Sequence, residues 1–178
     1  MNLNKFTVKA QEAVQQAQGM AMQLGHQAIE TGHVLKALIE NEEEVVPLLL
    51  KKAEVNLNDI RRSLDAVMNG YAKVSGGQPY LSTKLQQALQ NALQMTREFK
   101  DEFVTVEHLL LALMSAGDGV SDALKQAGAD ASRIRSAIRE IRKGSRATSS
   151  GAEESYNTLE KYARNLNQLA HEGKLDPV

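Results

Sequence analysis

Histidine occurs at the same place in two related segments of the chain, and histidine is a common side chain for proton transfer and metal binding. TGHVLKALIE (31–40) contains His33, and VEHLLLALMS (106–115) contains His108. Neither has a histidine four residues away, which a helical zinc site would use, and the chain has no cysteine. The pattern therefore favours a shared structural role for both histidines over a metal or catalytic site.

Three carboxylates flank the second histidine in the stretch EFKDEFVTVEH (98–108), at Asp101, Glu102 and Glu107. Acids near the start of a helix interact favourably with the helix dipole, which is a structural explanation. They could also form the polar rim of a binding cleft. General acid-base catalysis is the least favoured explanation, because no paired base, electrophile or metal site accompanies them.

The sequence contains no motif that brings a cofactor or a nucleophile. EGKLDPV (172–178) contains Gly-Lys, but leucine follows and the preceding glycine of a phosphate-binding loop is missing. There is no G-x-S-x-G elbow for an acyl-transfer serine. We therefore predict no catalytic residue, no cofactor and no metal in this chain.

The composition points to a helical protein of the cytoplasm. Aromatic residues make up 4% of the chain, and the net charge of −1 gives no general attraction for nucleic acid. The longest apolar run, 109–114, is too short to cross a membrane. One stretch is locally basic, and we interpret it as a solvated helix end, with phosphate binding as the alternative; its cations are Arg133, Arg135, Arg139, Arg142, Lys143 and Arg146.

The chain repeats itself at an offset of 75 residues. This offset pairs Thr7 with Ser82 and Met20 with Met95, and an offset of 74 pairs Ile60 with Ile134. Each repeat is predicted to form four helices, over 4–24, 31–40, 44–53 and 56–69, and then over 82–99, 105–115, 119–127 and 130–143. The expected fold is all-α, with two four-helix repeats (about 4–70 and 80–143) in one domain over 1–143.

Equivalent helices in the two repeats have equivalent apolar faces. The faces consist of Ala10, Ala13, Val14, Ala17 and Ala21 in one copy, and of Leu85, Ala88, Leu89, Ala92 and Thr96 in the other. Thr7, Ser82 and Thr105 are predicted N-caps, and KVSGGQPY (73–80) is the joint. Two such units should pack with pseudo-two-fold symmetry and leave a cleft between them.

After residue 143 the composition changes. We predict a flexible linker over 144–152, where small polar residues dominate. A final helix and segment over 153–178 carries an apolar stripe that includes Leu159, Tyr162 and Leu166. A single helix cannot bury such a stripe on itself, so we expect it to dock on another element.

Met20 and Met95 lie on the same flank of two equivalent helices. Such methionines usually seal the edge of a core, but flexible thioethers beside a cleft also suit a surface that accepts varied apolar segments. Leu93, on the opposite flank of its helix, raises the same question. Both interpretations stay open at this stage.

Several motifs together resemble the N-terminal region of the Clp family of AAA+ unfoldases. They are KFT (5–7), the pattern H-x-L-x-A-L in both repeats, LKQAGAD (124–130), and LEKYARNLNQLAHEGKLDPV (159–178). In that family the last motif leads into the first ATPase module. The joint at 73–80 and the polar run before the tail are most similar to the family members that extract proteins from aggregates.

The resemblance implies which residues bind substrate. The polar positions would be Thr7, Asp101 and Glu107. A hydrophobic groove along the first two helices of the second repeat would be formed by Leu89, Asn91, Leu93, Met95 and His108. Glu107 has Gly32 as its counterpart in the first repeat, so we expect the binding edge in the second repeat.

The same resemblance implies a function without catalysis in this chain. The domain would bind unfolded or aggregated polypeptide and pass it to a homohexameric ATPase ring. The full-length parent protein would use ATP and Mg²⁺ and could cooperate with another chaperone system. No nucleic acid or membrane partner is expected. The alternatives are a domain that docks adaptors for a protease-coupled unfoldase, and a freestanding helical scaffold protein.

Overall fold

The computed structural model describes residues 2–156. Each repeat in that range contains four helices. The first repeat has α1 (Val8–Gln23), α2 (Thr31–Ile39), α3 (Val45–Lys52) and α4 (Leu57–Asn69). The second has α5 (Thr83–Phe99), α6 (Val106–Met114), α7 (Gly119–Gln126) and α8 (Ala131–Arg142). The predicted fold class of two tandem four-helix repeats is confirmed.

The predicted faces and caps of the first helices are also observed. All five predicted apolar residues of α1 are buried, and so are four of the five in α5. Thr7 accepts a bond from Ala10 N–H at 3.1 Å, and Ser82 accepts one from Leu85 N–H at 3.1 Å. A hydroxyl at this position satisfies one of the free amides of the first turn.

The two histidines serve equivalent capping boxes. His33 Nδ1 accepts the Glu30 backbone N–H at 2.9 Å, and His108 Nδ1 accepts the Thr105 N–H at 3.0 Å. Each ring therefore holds the N-cap residue of α2 or α6. The repeated histidine marks a repeated structural solution to unpaired amides at a buried helix start.

Short parallel pairings connect the repeats. Strand β1 (Ala28–Ile29) pairs with β2 (Tyr80–Leu81), and Phe6 pairs with Val104 in a separate bridge. In each pairing, the segment before the first helix of one repeat lies beside the segment before the second helix of the other repeat. The helices interlock in the same way, because α3 packs on α8 and α4 packs on α7.

The pairing places Thr7 directly beside the start of α6. Thr7 N–H donates to Val104 O at 2.9 Å, and Val104 N–H donates to Lys5 O at 2.8 Å. Helices α2 and α6 lie at the centre, with most of their residues buried. The ends of these two central helices are therefore where groups from both repeats meet.

Residues after α8 lie against the double repeat, although the composition predicts a flexible linker over 144–152. Ala147 is fully buried; its N–H donates to Asp101 Oδ1 at 2.8 Å and its C=O accepts Glu102 N–H at 2.9 Å. Val8 N–H donates to Ser150 O at 2.9 Å. Small side chains let the segment approach closely, and its backbone groups find partners. We call residues 145–156 the strap; the predicted stripe beyond it lies outside the described residues.

At the start of α2, Gly32 is required by a close contact. A Cβ at this position would lie 2.5 Å from the Tyr71 hydroxyl oxygen, which also accepts Gly32 N–H at 3.2 Å. A Cβ added at Gly19 in α1 would meet no atom within 4 Å. Gly32 and Gly19 therefore differ in the space available to a side chain.

We expect Gly32→Ala to lower the free energy of unfolding by about 1–3 kcal/mol, because the added methyl group overpacks the site. Gly19→Ala should instead raise it by about 0.5–1 kcal/mol through helix propensity. Urea denaturation measures both values. The Tyr71→Phe background should reduce the Gly32→Ala loss; strictly additive losses would contradict the assigned contact.

Candidate functional site

A cluster of buried polar side chains lies at the start of α6. It combines the N-cap residue of α1, the loop between α5 and α6, α6, α8 and the strap, and we call it the polar cluster: Thr7, Asp101, Thr105, Glu107, His108, Arg142, Glu153 and Tyr156. Three carboxyl groups and one guanidinium lie here, and the guanidinium of Arg142 pairs with two of the three, Asp101 and Glu107. Buried charges of this kind need paired partners and hydrogen bonds to be tolerated.

Arg142 and Asp101 form the central ion pair. Arg142 Nη1 donates to Asp101 Oδ1 at 2.9 Å and to Oδ2 at 2.7 Å, and Nη2 donates to Thr105 Oγ1 at 3.3 Å. The guanidinium also lies over the rings of Phe99 and Tyr156, 5.5 and 5.6 Å from their centroids. This arrangement links the end of α8 to the start of α6.

The His108 ring also faces Asp101. Because Nδ1 accepts the Thr105 backbone N–H, the ring presents an N–H from Nε2, which lies 2.9 Å from Asp101 Oδ2. Burial alone would raise the pKa of Asp101, but the contacts from His108, Ala147 N–H and Arg142 outweigh it and lower the pKa. Asp101 is therefore a carboxylate in the folded protein.

The equivalent histidine of the first repeat has a neutral environment. His33 Nε2 lies 2.9 Å from His26 Nδ1, and Tyr71 packs against both rings. Burial and the neighbouring His26 lower the pKa of His33 to about 4. In residues 2–156, no group of three or more His, Cys, Asp or Glu side chains has a geometry that could hold a metal ion.

The strap contributes Glu153 to the polar cluster. The Thr7 hydroxyl donates to Glu153 Oε2, and Val106 N–H donates to the same oxygen at 3.2 Å. The carboxyl group thus lies at the start of both α1 and α6, where the helix dipoles favour an anion. Burial and the nearby Glu107 nevertheless raise the pKa of Glu153 to about 7.

Tyr156 completes the cluster by donating a hydrogen bond from its hydroxyl to Glu107 Oε1. Arg142 Nε lies 3.7 Å from the same oxygen. Burial and then the charge of Glu107 raise the pKa of Tyr156, so its hydroxyl stays protonated. The eight residues of the cluster include no activated nucleophile, and their geometry is suited to anchoring the strap rather than to catalysis.

The structure divides the predicted binding residues into two groups. Thr7, Asp101, Glu107 and His108 come together in the polar cluster with their side chains buried, and strap residues contact the first three of them. Their role in binding remains a prediction, and a ligand at the atoms of Thr7 or Glu107 that the strap occupies would have to displace Glu153 or Tyr156. The sequence-based set of binding residues does not include Arg142, Glu153 or Tyr156, which also contribute to this cluster.

The other predicted residues lie along α5. Leu89 is in the core, Asn91 is exposed, and Leu93 and Met95 are half-buried. Met95 lies in a groove of about 270 Å³ between α5, α6, α7 and the start of α8. We call this the Met95 groove; its apolar lining includes Met95, Leu111, Met114, Leu124 and Ala129. Met20, the counterpart of Met95, packs against the core.

Most of the basic stretch around α8 is on the surface, as predicted, but Arg142 is not. Its side chain is 4% exposed, whereas Arg135 is 29% exposed and pairs with Glu98 at 2.7 Å. Burial would lower the pKa of Arg142, but Glu107 and Asp101 outweigh this and raise it. The interpretation as a solvated helix end is therefore wrong for this one residue.

Comparison with known proteins identifies the family. The family model of the Clp repeat (R) N-terminal domain matches residues 5–127. The chain belongs to the Clp N-terminal domain family. The chaperone protein ClpB of Bacteroides thetaiotaomicron is 45% identical over all 178 residues of this chain. The chain spans about a fifth (21%) of the length of that relative.

Solved Clp N-terminal domains share the fold. The Hsp104 N-terminal domain from Candida albicans superposes with a TM-score of 0.71 and 25% identity, covering 84% of this chain and 99% of that one. A ClpV N-domain in complex with a VipB peptide has a TM-score of 0.68 and 20% identity, covering 83% and 96%. Within the described residues, no helix of this Clp domain is long and apolar enough to cross a membrane.

Replacing Arg142 by methionine should lower the free energy of unfolding by about 3–5 kcal/mol, because the buried carboxylates lose the guanidinium that pairs with them. Arg135→Met on the same helix removes a surface pair and should cost at most about 1 kcal/mol. Chemical denaturation at neutral pH compares them. Equal losses would show that the polar cluster does not depend on Arg142.

The raised pKa of Glu153 makes folding depend on pH. The folded protein holds this proton up to about pH 7, whereas the unfolded chain releases it near its ordinary value of 4.5. The contribution of Glu153 to the free energy of unfolding should therefore fall as pH rises from about 4.5 to 7. Above pH 7 this contribution should stay constant at its lower value.

We expect Glu153→Gln to remove this dependence while keeping an oxygen that can accept the bonds from Thr7 and Val106. The difference in unfolding free energy, variant minus wild type, should increase between pH 5 and pH 8. Taking the difference cancels the opposite slope expected from His33, whose pKa is lowered to about 4. Parallel pH profiles would rule out the raised Glu153 pKa.

Proposed function

We propose that the chain is the substrate-recognition domain of a ClpB-type disaggregase. The observation that supports this most strongly is the 45% identity to a ClpB chaperone across the whole chain. The domain binds exposed apolar segments of unfolded or aggregated proteins and passes them to a hexameric ATPase ring. In this proposal, ATP and Mg²⁺ act in the parent protein, in the cytoplasm, and this chain catalyses nothing.

The Met95 groove supports the binding step. Its two methionines, Met95 and Met114, are flexible and polarisable, so they adapt to apolar side chains of different shape. Its rim carries both signs of charge, with Lys125, Arg135 and Asp130. Such a shallow, mixed surface is suited to weak, broad binding of extended chains. The solved ClpV N-domain complex with a VipB peptide supports peptide binding by this fold.

The start of α2 supports a single polar site rather than two symmetric ones. Glu107 at the start of α6 has Gly32 as its counterpart, and the Tyr71 hydroxyl fills the space a side chain would need there. A second carboxylate at that position would displace Tyr71. We therefore assign the predicted polar contacts with substrate to the second repeat, where the strap must first move.

The test uses methyl NMR of the six methionines. A reduced, alkylated and permanently unfolded protein should shift the Met95 and Met114 signals, because their side chains line the groove, and should leave Met22 unchanged. The native form of the same protein should shift neither. Met95→Ser should weaken binding at least about threefold, and Met22→Ser, at an exposed position on α1, should not.

Equal responses to the unfolded and native proteins would contradict the proposal. Shifts of Met22 alone would place binding elsewhere on the domain. Thermal melting of both serine variants shows that any loss of binding does not come from unfolding.

A further inference from the structure

A second groove lies on the first repeat, away from the Met95 groove. It has a volume of about 390 Å³ and runs between α1, α2 and the start of α3. We call it the first-repeat groove. Its floor is apolar, formed by Ala13, Ala37, Leu38 and Val46, and Val106 closes the end nearest the polar cluster. An apolar side chain entering here would be removed from water, which favours binding.

The rim of the first-repeat groove is acidic. Glu12, Glu40 and Glu44 all line it, and the loop between α2 and α3 reads ENEEE over 40–44. Lys9 lies between two of these acids, 3.9 Å from Glu12 and 3.3 Å from Glu44. Three carboxylates and one ammonium group leave the rim with net negative charge, which attracts a cationic partner.

A buried acceptor also faces the first-repeat groove. Glu153 is 1% exposed and lines the groove, and its Oε1 has no hydrogen-bond partner among the described residues. The other oxygen, Oε2, accepts the bonds from Thr7 and Val106. A buried carboxyl oxygen without a hydrogen-bond partner is unusual in a folded protein, and once the Glu153 proton is released, above about pH 7, it can accept a bond from a cationic ligand.

The second repeat shows that the fold does not require this acidity. At the offset of 75, Glu12 corresponds to Gln87 and Glu40 to Ser115. Glu44 corresponds to Asp118 as the N-cap residue of its helix, but Asp118 caps Val120 and Ser121, whereas Glu44 makes no capping bond. The acids of the first repeat are thus additional to what the helices need.

From these features we propose that the first-repeat groove binds segments of extended polypeptide in which Lys or Arg alternates with apolar residues. The apolar side chain packs on the floor, and the cation lies among Glu12, Glu40 and Glu44, within reach of Glu153 Oε1. This inference rests on the proposed function, and it adds a second site with a charge preference. The Met95 groove has no comparable excess of acids on its rim.

The experiment measures binding of three short fluorescent peptides to the full chain by anisotropy. In the first peptide lysines alternate with leucines; in the others each lysine is replaced by glutamine or by glutamate. The lysine peptide should bind about three- to tenfold more tightly than the glutamine peptide, and the glutamate peptide most weakly. The preference should decrease as salt is added, because exposed charges are screened.

Matched variants assign the preference to the groove. Glu12→Gln with Glu40→Gln should reduce binding of the lysine peptide about three- to tenfold and leave the glutamine peptide unchanged. Asp65→Asn with Glu140→Gln removes the same charge from exposed positions on α4 and α8. This control should change the binding of neither the lysine peptide nor the glutamine peptide. If both double variants weaken binding equally, the preference comes from general charge and the inference is wrong.

Three further outcomes are informative. If the chain binds unfolded protein through Met95 but does not distinguish the three peptides, the inference fails while the proposed function stands. If it binds no unfolded protein and no peptide, both fail. If sedimentation shows a dimer that Glu12→Gln with Glu40→Gln abolishes, the occupant is a second copy of the chain and the inference is overturned.

Discussion

The reciprocal pairing between the repeats fixes the position of the other elements. Phe6 pairs with Val104, and Ile29 pairs with Leu81, which is the same contact made twice because both partners shift by 75 residues. Such short pairings are marginal by themselves. They persist because the buried helices α2 and α6 supply the hydrophobic stabilisation on either side. Each pairing brings the N-cap of one repeat to the buried helix start of the other.

The starts of α2 and α6, which are equivalent in the two repeats, differ in charge. At the start of α2, Gly32, Tyr71 and two neutral histidines fill the space with few charges. At the start of α6, Asp101, Glu107, Arg142 and the strap create a buried ionic network. Because one scaffold accommodates both solutions, the ions are not a requirement of the Clp N-terminal fold. Their energetic cost makes this end sensitive to anything that changes protonation or removes a partner.

Much of the fold could be predicted because the relevant information is local. Helical periodicity and N-cap residues place most helix boundaries within one or two residues, although the first helix begins at Val8 rather than at residue 4. The two-residue strands could not be predicted, since they carry no alternation. The N-cap roles of Thr7 and Ser82 follow from the same local signals, as the structure confirms.

The polar cluster was only partly predictable. The resemblance to the Clp family named Thr7, Asp101 and Glu107, but it did not say that the chain itself covers them. The burial of Arg142 could have been found by extending the apolar face of α8, because it follows Ile138 by four residues. Glu153 and Tyr156 could not be found this way. Their hydrogen bonds join residues separated by 47 positions or more, and the polar composition of 144–152 suggests a free linker.

Docking of the strap also limits how far this domain can move from whatever follows it in the chain. When Ala147, Ser150 and Glu153 hold their partners, residues 145–156 contribute nothing to that distance. Releasing these twelve residues would add about 40 Å of extended chain. The polar cluster thus sets how much of the chain after α8 can extend away from the double repeat.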